Sequence, residues 1–171
     1  GAVTALSANG WRDQSDQTSH RATLSVGHDV ANGAVRFILN AATVEQEIPG
    51  SLTLTQALNT PTVATPANVA NDYARDIRSV RGVVQAQLQL SASTTLDAGV
   101  YATWKDLHHP IFQVIDQESR NWGAFARFDT EGRVAGLRAD AFYGVSLRSG
   151  DNDALQWVNV RGSRGAKTAQ S

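Results

Sequence analysis

The feature that most constrains this chain is a period of two. Between Val80 and Ala92 the even positions are Val80, Gly82, Val84, Ala86, Leu88, Leu90 and Ala92, and the odd ones are Arg81, Val83, Gln85, Gln87, Gln89 and Ser91. Successive side chains of a strand point to opposite faces, so such a segment makes one oily and one wet surface. Leu96 to Lys105 repeats the pattern, with Leu96, Ala98, Val100, Ala102 and Trp104 on one side. Asn121 to Asp129 and Arg133 to Arg148 do the same, while Ser19 to His28 and Val35 to Glu45 alternate less cleanly. A further strand is expected to finish within Gly1 to Ser7. The expectation is an all-β, antiparallel, up-and-down sheet of about six or seven long strands.

Connections alternate in length. Short ones are expected at Asp29 to Gly33, Ser93 to Thr95 and Thr130 to Gly132, where Asn32-Gly33 and Glu131-Gly132 supply residues that tolerate positive φ. Long ones are expected over 8–18, 46–72, 106–118 and from Ser149 onward. In the longest, Thr53 followed by Gln56 fits a capping box, and Pro61 and Pro66 stop any helix.

Composition narrows the function. The formal net charge is −1 across 171 residues, without the basic excess of a nucleic-acid binder. Cysteine is absent, which removes disulfides, thiolate nucleophiles and Cys-based metal sites. No apolar run approaches the ~18 residues of a spanning helix.

Alternation alone does not say whether the oily face meets a core or lipid, and a soluble β-sandwich or lipocalin gives the same period. Three features favour lipid. The strands read longer than the usual ~5–6 residues, against ~9–11 for a tilted membrane strand. Trimmed turns at one rim and elaborate loops at the other match outer-membrane barrels. Trp104, Trp122 and Tyr143 are expected near the long-loop rim and Phe128 near the other, as interfacial aromatics bracketing small aliphatic residues.

Gly10-Trp11-Arg12-Asp13-Gln14-Ser15-Asp16-Gln17 resembles the G-[FWY]-R-D-x-S-D-Q loop of TonB-dependent outer-membrane receptors. Glu47 to Thr53, Asn71 to Asp76, His109 to Gln117 and Gly150 to Asp153 are similar to other segments of those barrels. The resemblance implies a roughly 22-stranded barrel closed by a plug domain. It makes 1–171 a partial barrel domain, with short periplasmic turns and long extracellular loops, lacking the plug and the remaining strands. It also implies a place in the bacterial outer membrane among lipid and lipopolysaccharide. The function implied is uptake of a ferric siderophore, ferric citrate or similar chelate, energised by TonB through the plug.

For ligand contact, the resemblance directs attention to cations and aromatics near the long loops. Arg binds carboxylates through a rigid fork, and aromatic rings stack on flat ligands. The candidates are Arg12, Tyr73, Arg75, Lys105, His108, Arg120, Arg148 and Trp157. His108-His109 is the only doubled imidazole, but neighbours in an extended chain diverge, so no metal site is expected. Asp151-Asn152-Asp153 and Asp13 with Asp16 lack the spacing of a calcium loop. Ser25 falls on the opposite parity from His20 and His28, so no hydrolase triad lines up. Neither an enzyme, a cofactor nor nucleic acid is expected.

Overall fold

A computed structural model describes residues 1–170. Eight strands form one antiparallel sheet in chain order: β1 (Ala2–Ala8), β2 (Gln17–Val30), β3 (Gly33–Glu47), β4 (Ala74–Ser91), β5 (Thr94–Pro110), β6 (Gln113–Val134), β7 (Leu137–Val160) and β8 (Ser163–Gln170). The sheet is open, because β1 and β8 each have one hydrogen-bonded neighbour. The near rim carries the turns at 31–32, 92–93 and 135–136. The far rim carries loops 9–16 and 48–73 and the turns at 111–112 and 161–162.

Eight strands replace the expected six or seven because the chain after Ser149 adds one, and the expected loop at 106–118 instead lengthens two others. Residues 106–118 form the paired ends of β5 and β6, with His108 opposite Asp116. Past Ser149, β7 runs on to Val160 and turns through Arg161 (φ 52°) and Gly162 (φ 81°) into β8. One near-rim turn also moves. Glu131 and Gly132 pair with Asp140 and Ala139, and the chain reverses instead at Ala135 (φ 51°) and Gly136 (φ 86°). A register shift of an even number of residues keeps every side chain on its face, so periodicity cannot fix it. In the observed register Phe128 stacks on Tyr143, with centroids 5.1 Å apart and planes at 14°. Tyr143 therefore belongs to the near end of the oily face, not the far end.

The long loop forms the expected capping box, but Pro66 opens a helix instead of stopping one. In α1 (Leu54–Asn59) Thr53 accepts from the Gln56 N–H at 3.2 Å, and the Gln56 side chain accepts from the Thr53 N–H at 3.0 Å. A second turn of helix, α2 (Pro66–Ala70), starts at a proline. Buried Asn68 donates to the Ile48 carbonyl at 2.9 Å and ties this loop to the end of β3.

There is almost no hydrophobic core. Among the described residues only Ala64 and Val114 are buried apolar side chains, while Val26, Phe37, Val84, Val100, Val145 and Leu147 are all exposed. The accessible surface is 11368 Å², against about 8,100 Å² for a folded monomer of this mass by the usual scaling. The excess is the sheet's two open faces.

Candidate functional site

The registers sort the side chains into two faces. Val35, Phe37, Leu39 and Ala41 of β3 stand opposite Ala86, Val84, Gly82 and Val80 of β4. The same face continues through Val100, Ala102 and Trp104, then Trp122, Ala124, Ala126 and Phe128, then Tyr143, Val145 and Leu147. On β4 the apolar run from Val80 to Leu90 covers ten residue steps, roughly 33 Å along the strand or ~25 Å once tilted by ~40°. That is the height of the apolar band of an outer-membrane barrel.

Beyond Trp104 this face turns charged. The Trp104 indole N–H donates to Glu118 at 2.9 Å, and Arg120 donates to the same carboxylate at 2.7 Å. Further out, Asp116 is 14 % exposed and accepts from His108 of β5 at 2.7 Å and from Arg164 of β8 at 2.6 Å. Burial pushes the Asp116 carboxyl up, but hydrogen bonds from Arg164 and His108 outweigh it and hold it below the usual carboxylate range. Asp116 in turn raises Arg164. Asp76 goes the other way, raised by burial against the attraction of His108. A cleft of about 520 Å³ between Asp76, Arg78, Asp106, His108 and the β7–β8 tip opens on this face.

The opposite face is polar. Arg81 lies 5.7 Å from the centre of the Tyr101 ring, and Arg127 lies 4.9 Å from that of Phe142. Gly99 stands opposite Phe125 and Tyr101 opposite Gly123, so each ring lies over the glycine across from it.

The sequence candidates divide between these settings. Arg75, Lys105 and Arg148 lie on the polar face, whereas His108, Arg120 and Trp157 lie on the parity of Trp104. Arg12 sits in loop 9–16, where its guanidinium donates to the carbonyls of Gly50 (2.9 Å), Pro49 (3.4 Å) and Val63 (3.0 Å). Tyr73 bridges loop to strand through its backbone, donating to Asn68 and accepting from Ile48, both at 2.9 Å. Trp157 is opposite fully buried Val114, and its buried indole N–H has no acceptor. The eight candidates therefore do not converge on one site. His109 donates to the Ala74 carbonyl at 2.8 Å on the face opposite His108, and no group of three or more metal-ligating side chains exists among the described residues. Arg81, which the sequence places on the wet face with Gln85 and Gln87, is not among the eight candidates but lies on the same face as Arg75, Lys105 and Arg148.

No protein-family model matches the chain, and no curated protein matches it. Among solved structures it is similar to the ferric citrate transporter FecA in its unliganded form, at a TM-score of 0.77 and 12 % identity. The match covers 97 % of this chain and 26 % of that one, so the chain spans about a quarter of the neighbour's length. The fold is thus that of a wall segment of a TonB-dependent-receptor-like β-barrel.

Proposed function

We propose that the chain forms part of the barrel of an outer-membrane active-transport receptor, importing a ferric siderophore, ferric citrate or similar metal chelate with energy from TonB. The observation that carries this reading is the uncovered apolar face, ~25 Å tall and closed at both ends by aromatics. A soluble all-β binding module needs a second layer over that face, and the single sheet offers none. Trp104 supports the same reading, since its ring lies on the apolar band while its N–H meets a charged collar.

In this reading, lipid contacts Val84 and Val100, while lipopolysaccharide surrounds the collar of Glu118 and Arg120. The plug and the TonB contact lie elsewhere in the receptor. The chain contributes a wall and a polar surface, without catalysis. The test is iron accumulation from ferric citrate and a panel of ferric siderophores in cells with and without the gene. Uptake of at least one chelate that falls at least tenfold on deletion, and also on loss of TonB, supports the proposal. Unchanged uptake of every chelate contradicts it.

A further inference from the structure

One register row crosses five strands as Val3, Ala22, Ala41, Val80 and Trp104. Longer side chains flank the two alanines, and the apolar face dips between them into a groove of about 360 Å³. Val3 forms one wall, and Val80 with the Trp104 ring forms the other. A second hollow of about 340 Å³ continues the groove past Leu24 and Leu39, one row nearer the middle of the band. At the far-rim end the groove meets His20, Thr43 and Arg78, which share the next row out. Thr43 and Leu39 are four residue steps apart on β3, ~13 Å along the strand.

Arg78 borders two spaces of opposite character. It lines the apolar groove and also the 520 Å³ cleft that it shares with Asp76, Asp106 and His108. Asp106 stands across the β4–β5 ladder from Arg78, and Asp76 precedes it by two residues on the same face. Arg78 is nevertheless exposed and forms no ion pair with any described residue. Its guanidinium fork is therefore free for a phosphate. The two carboxylates are acceptors only, so they repel a head that is anionic throughout and suit hydroxyl donors beside a single phosphate. The groove is continuous with the apolar band, which makes a hydrocarbon chain its natural occupant.

We infer that groove and cleft together bind one phosphorylated glycolipid of the far-rim leaflet. An acyl chain lies over Ala22 and Ala41 against Trp104, a phosphate meets Arg78, and sugar hydroxyls donate to Asp76 and Asp106. This rests on the reading of this face as lipid-facing, and not on which chelate is imported.

The full-length protein, folded in neutral detergent micelles, is titrated with diphosphoryl lipid A and separately with phosphatidylglycerol, and retained lipid is counted by native mass spectrometry. One molecule of lipid A is held more tightly than phosphatidylglycerol. Ala41→Trp, which fills the groove, and Arg78→Gln each weaken its retention about five- to tenfold. Arg78→Lys retains most of it, and Ala86→Trp, on the same face outside the groove, changes it less than about twofold. Retention unaltered in both Ala41→Trp and Arg78→Gln overturns the inference, as does equal weakening by Ala86→Trp. Phosphatidylglycerol held as tightly as lipid A, and lost in the same variants, also overturns it, in favour of a phospholipid site. Labels at Val84→Cys and Val100→Cys that lipid tails quench, without selective retention of lipid A, remove this inference and keep the lipid-facing wall. The same labels quenched by aqueous iodide remove the wall, and this inference with it.

Discussion

The indole N–H of Trp104 donates to Glu118 at 2.9 Å, joining an aromatic at the edge of the apolar band to a carboxylate beyond it. The bond fixes where the apolar face ends, because the ring prefers hydrocarbon and its N–H requires an acceptor. Trp104→Ala is expected to lower the unfolding midpoint in micelles by several degrees, corresponding to ~1–2 kcal/mol of lost apolar contact. Trp104→Phe, which keeps a ring but loses the donor, is expected to lower it less. Equal effects, measured by thermal unfolding, contradict an interfacial role for the ring.

The apolar band predicts a depth profile for added charge. Val100 is opposite Val84 near mid-band, while Leu88, opposite Leu96, lies near the near-rim end. Val100→Arg is expected to cost ~2–4 kcal/mol of folding stability in vesicles and Leu88→Arg ~0–1 kcal/mol. Gln85→Arg on the polar face is expected to be close to neutral. Urea titrations of the vesicle-inserted protein measure all three.

Glycines on the two faces differ in what surrounds them. A Cβ at Gly123 meets the Tyr101 ring at 2.5 Å and the Leu147 carbonyl at 2.7 Å, and one at Gly99 meets Phe125 at 2.8 Å. A Cβ at Gly82, on the apolar face, meets nothing within 4 Å. Gly123→Ala and Gly99→Ala are therefore expected to destabilise by about 1–3 kcal/mol through overpacking, and Gly82→Ala not to. Unfolding midpoints of the three variants check this.

Acid is expected to release the β7–β8 tip. Asp116 titrates below its unfolded value, so its contribution is complete above about pH 5 and is lost as pH falls through the folded value. Asp76, raised by burial, has the opposite sign and favours the folded state as it protonates. The chain has no cysteine, so spin labels at Ser163→Cys and Leu107→Cys report the tip directly. The expected result is one narrow distance at pH 7 that broadens below about pH 4, and Asp116→Asn broadens it already at pH 7. A distance unchanged in the variant and in acid contradicts a role for the Asp116–Arg164 pair in holding the tip.

Arg12 holds the 48–73 loop by carbonyls of Pro49, Gly50 and Val63. Lysine cannot reproduce that fork. Arg12→Lys and Arg12→Ala are both expected to speed protease cleavage within the loop several-fold, with little change in the unfolding midpoint of the sheet.

What was legible in the sequence follows from where alternation exists. Around Val84, Ala98, Ala124 and Val145 one face is apolar and the other polar, so strand and face were both readable. Beyond Trp104 both faces mix polar and apolar residues: Val114 and Trp157 share one with His108 and Asp116, and Leu107 and Ile115 share the other with His109. Without a clean alternation there is no period to read at the ends of β5, β6 and β7. Register is legible only to parity, so the sequence does not show that Tyr143 pairs with Phe128 at the near end of the face. Of the candidate site, parity already separates Arg75, Lys105 and Arg148 from His108 and Arg120. The engagement of Arg12 with carbonyls of residues 49–63 is a tertiary contact that local pattern does not encode.

The most direct test of the central claim is the depth and sidedness of fluorescent labels on single cysteines in the bilayer-inserted full-length protein. Labels at Val84→Cys and Val100→Cys are predicted to be quenched by spin-labelled lipid tails and shielded from aqueous iodide. Labels at Gln85→Cys, one residue from Val84, and Asp97→Cys, three residues from Val100, are predicted to show the reverse. Quenching of all four by iodide, or of none by lipid, contradicts a lipid-facing wall.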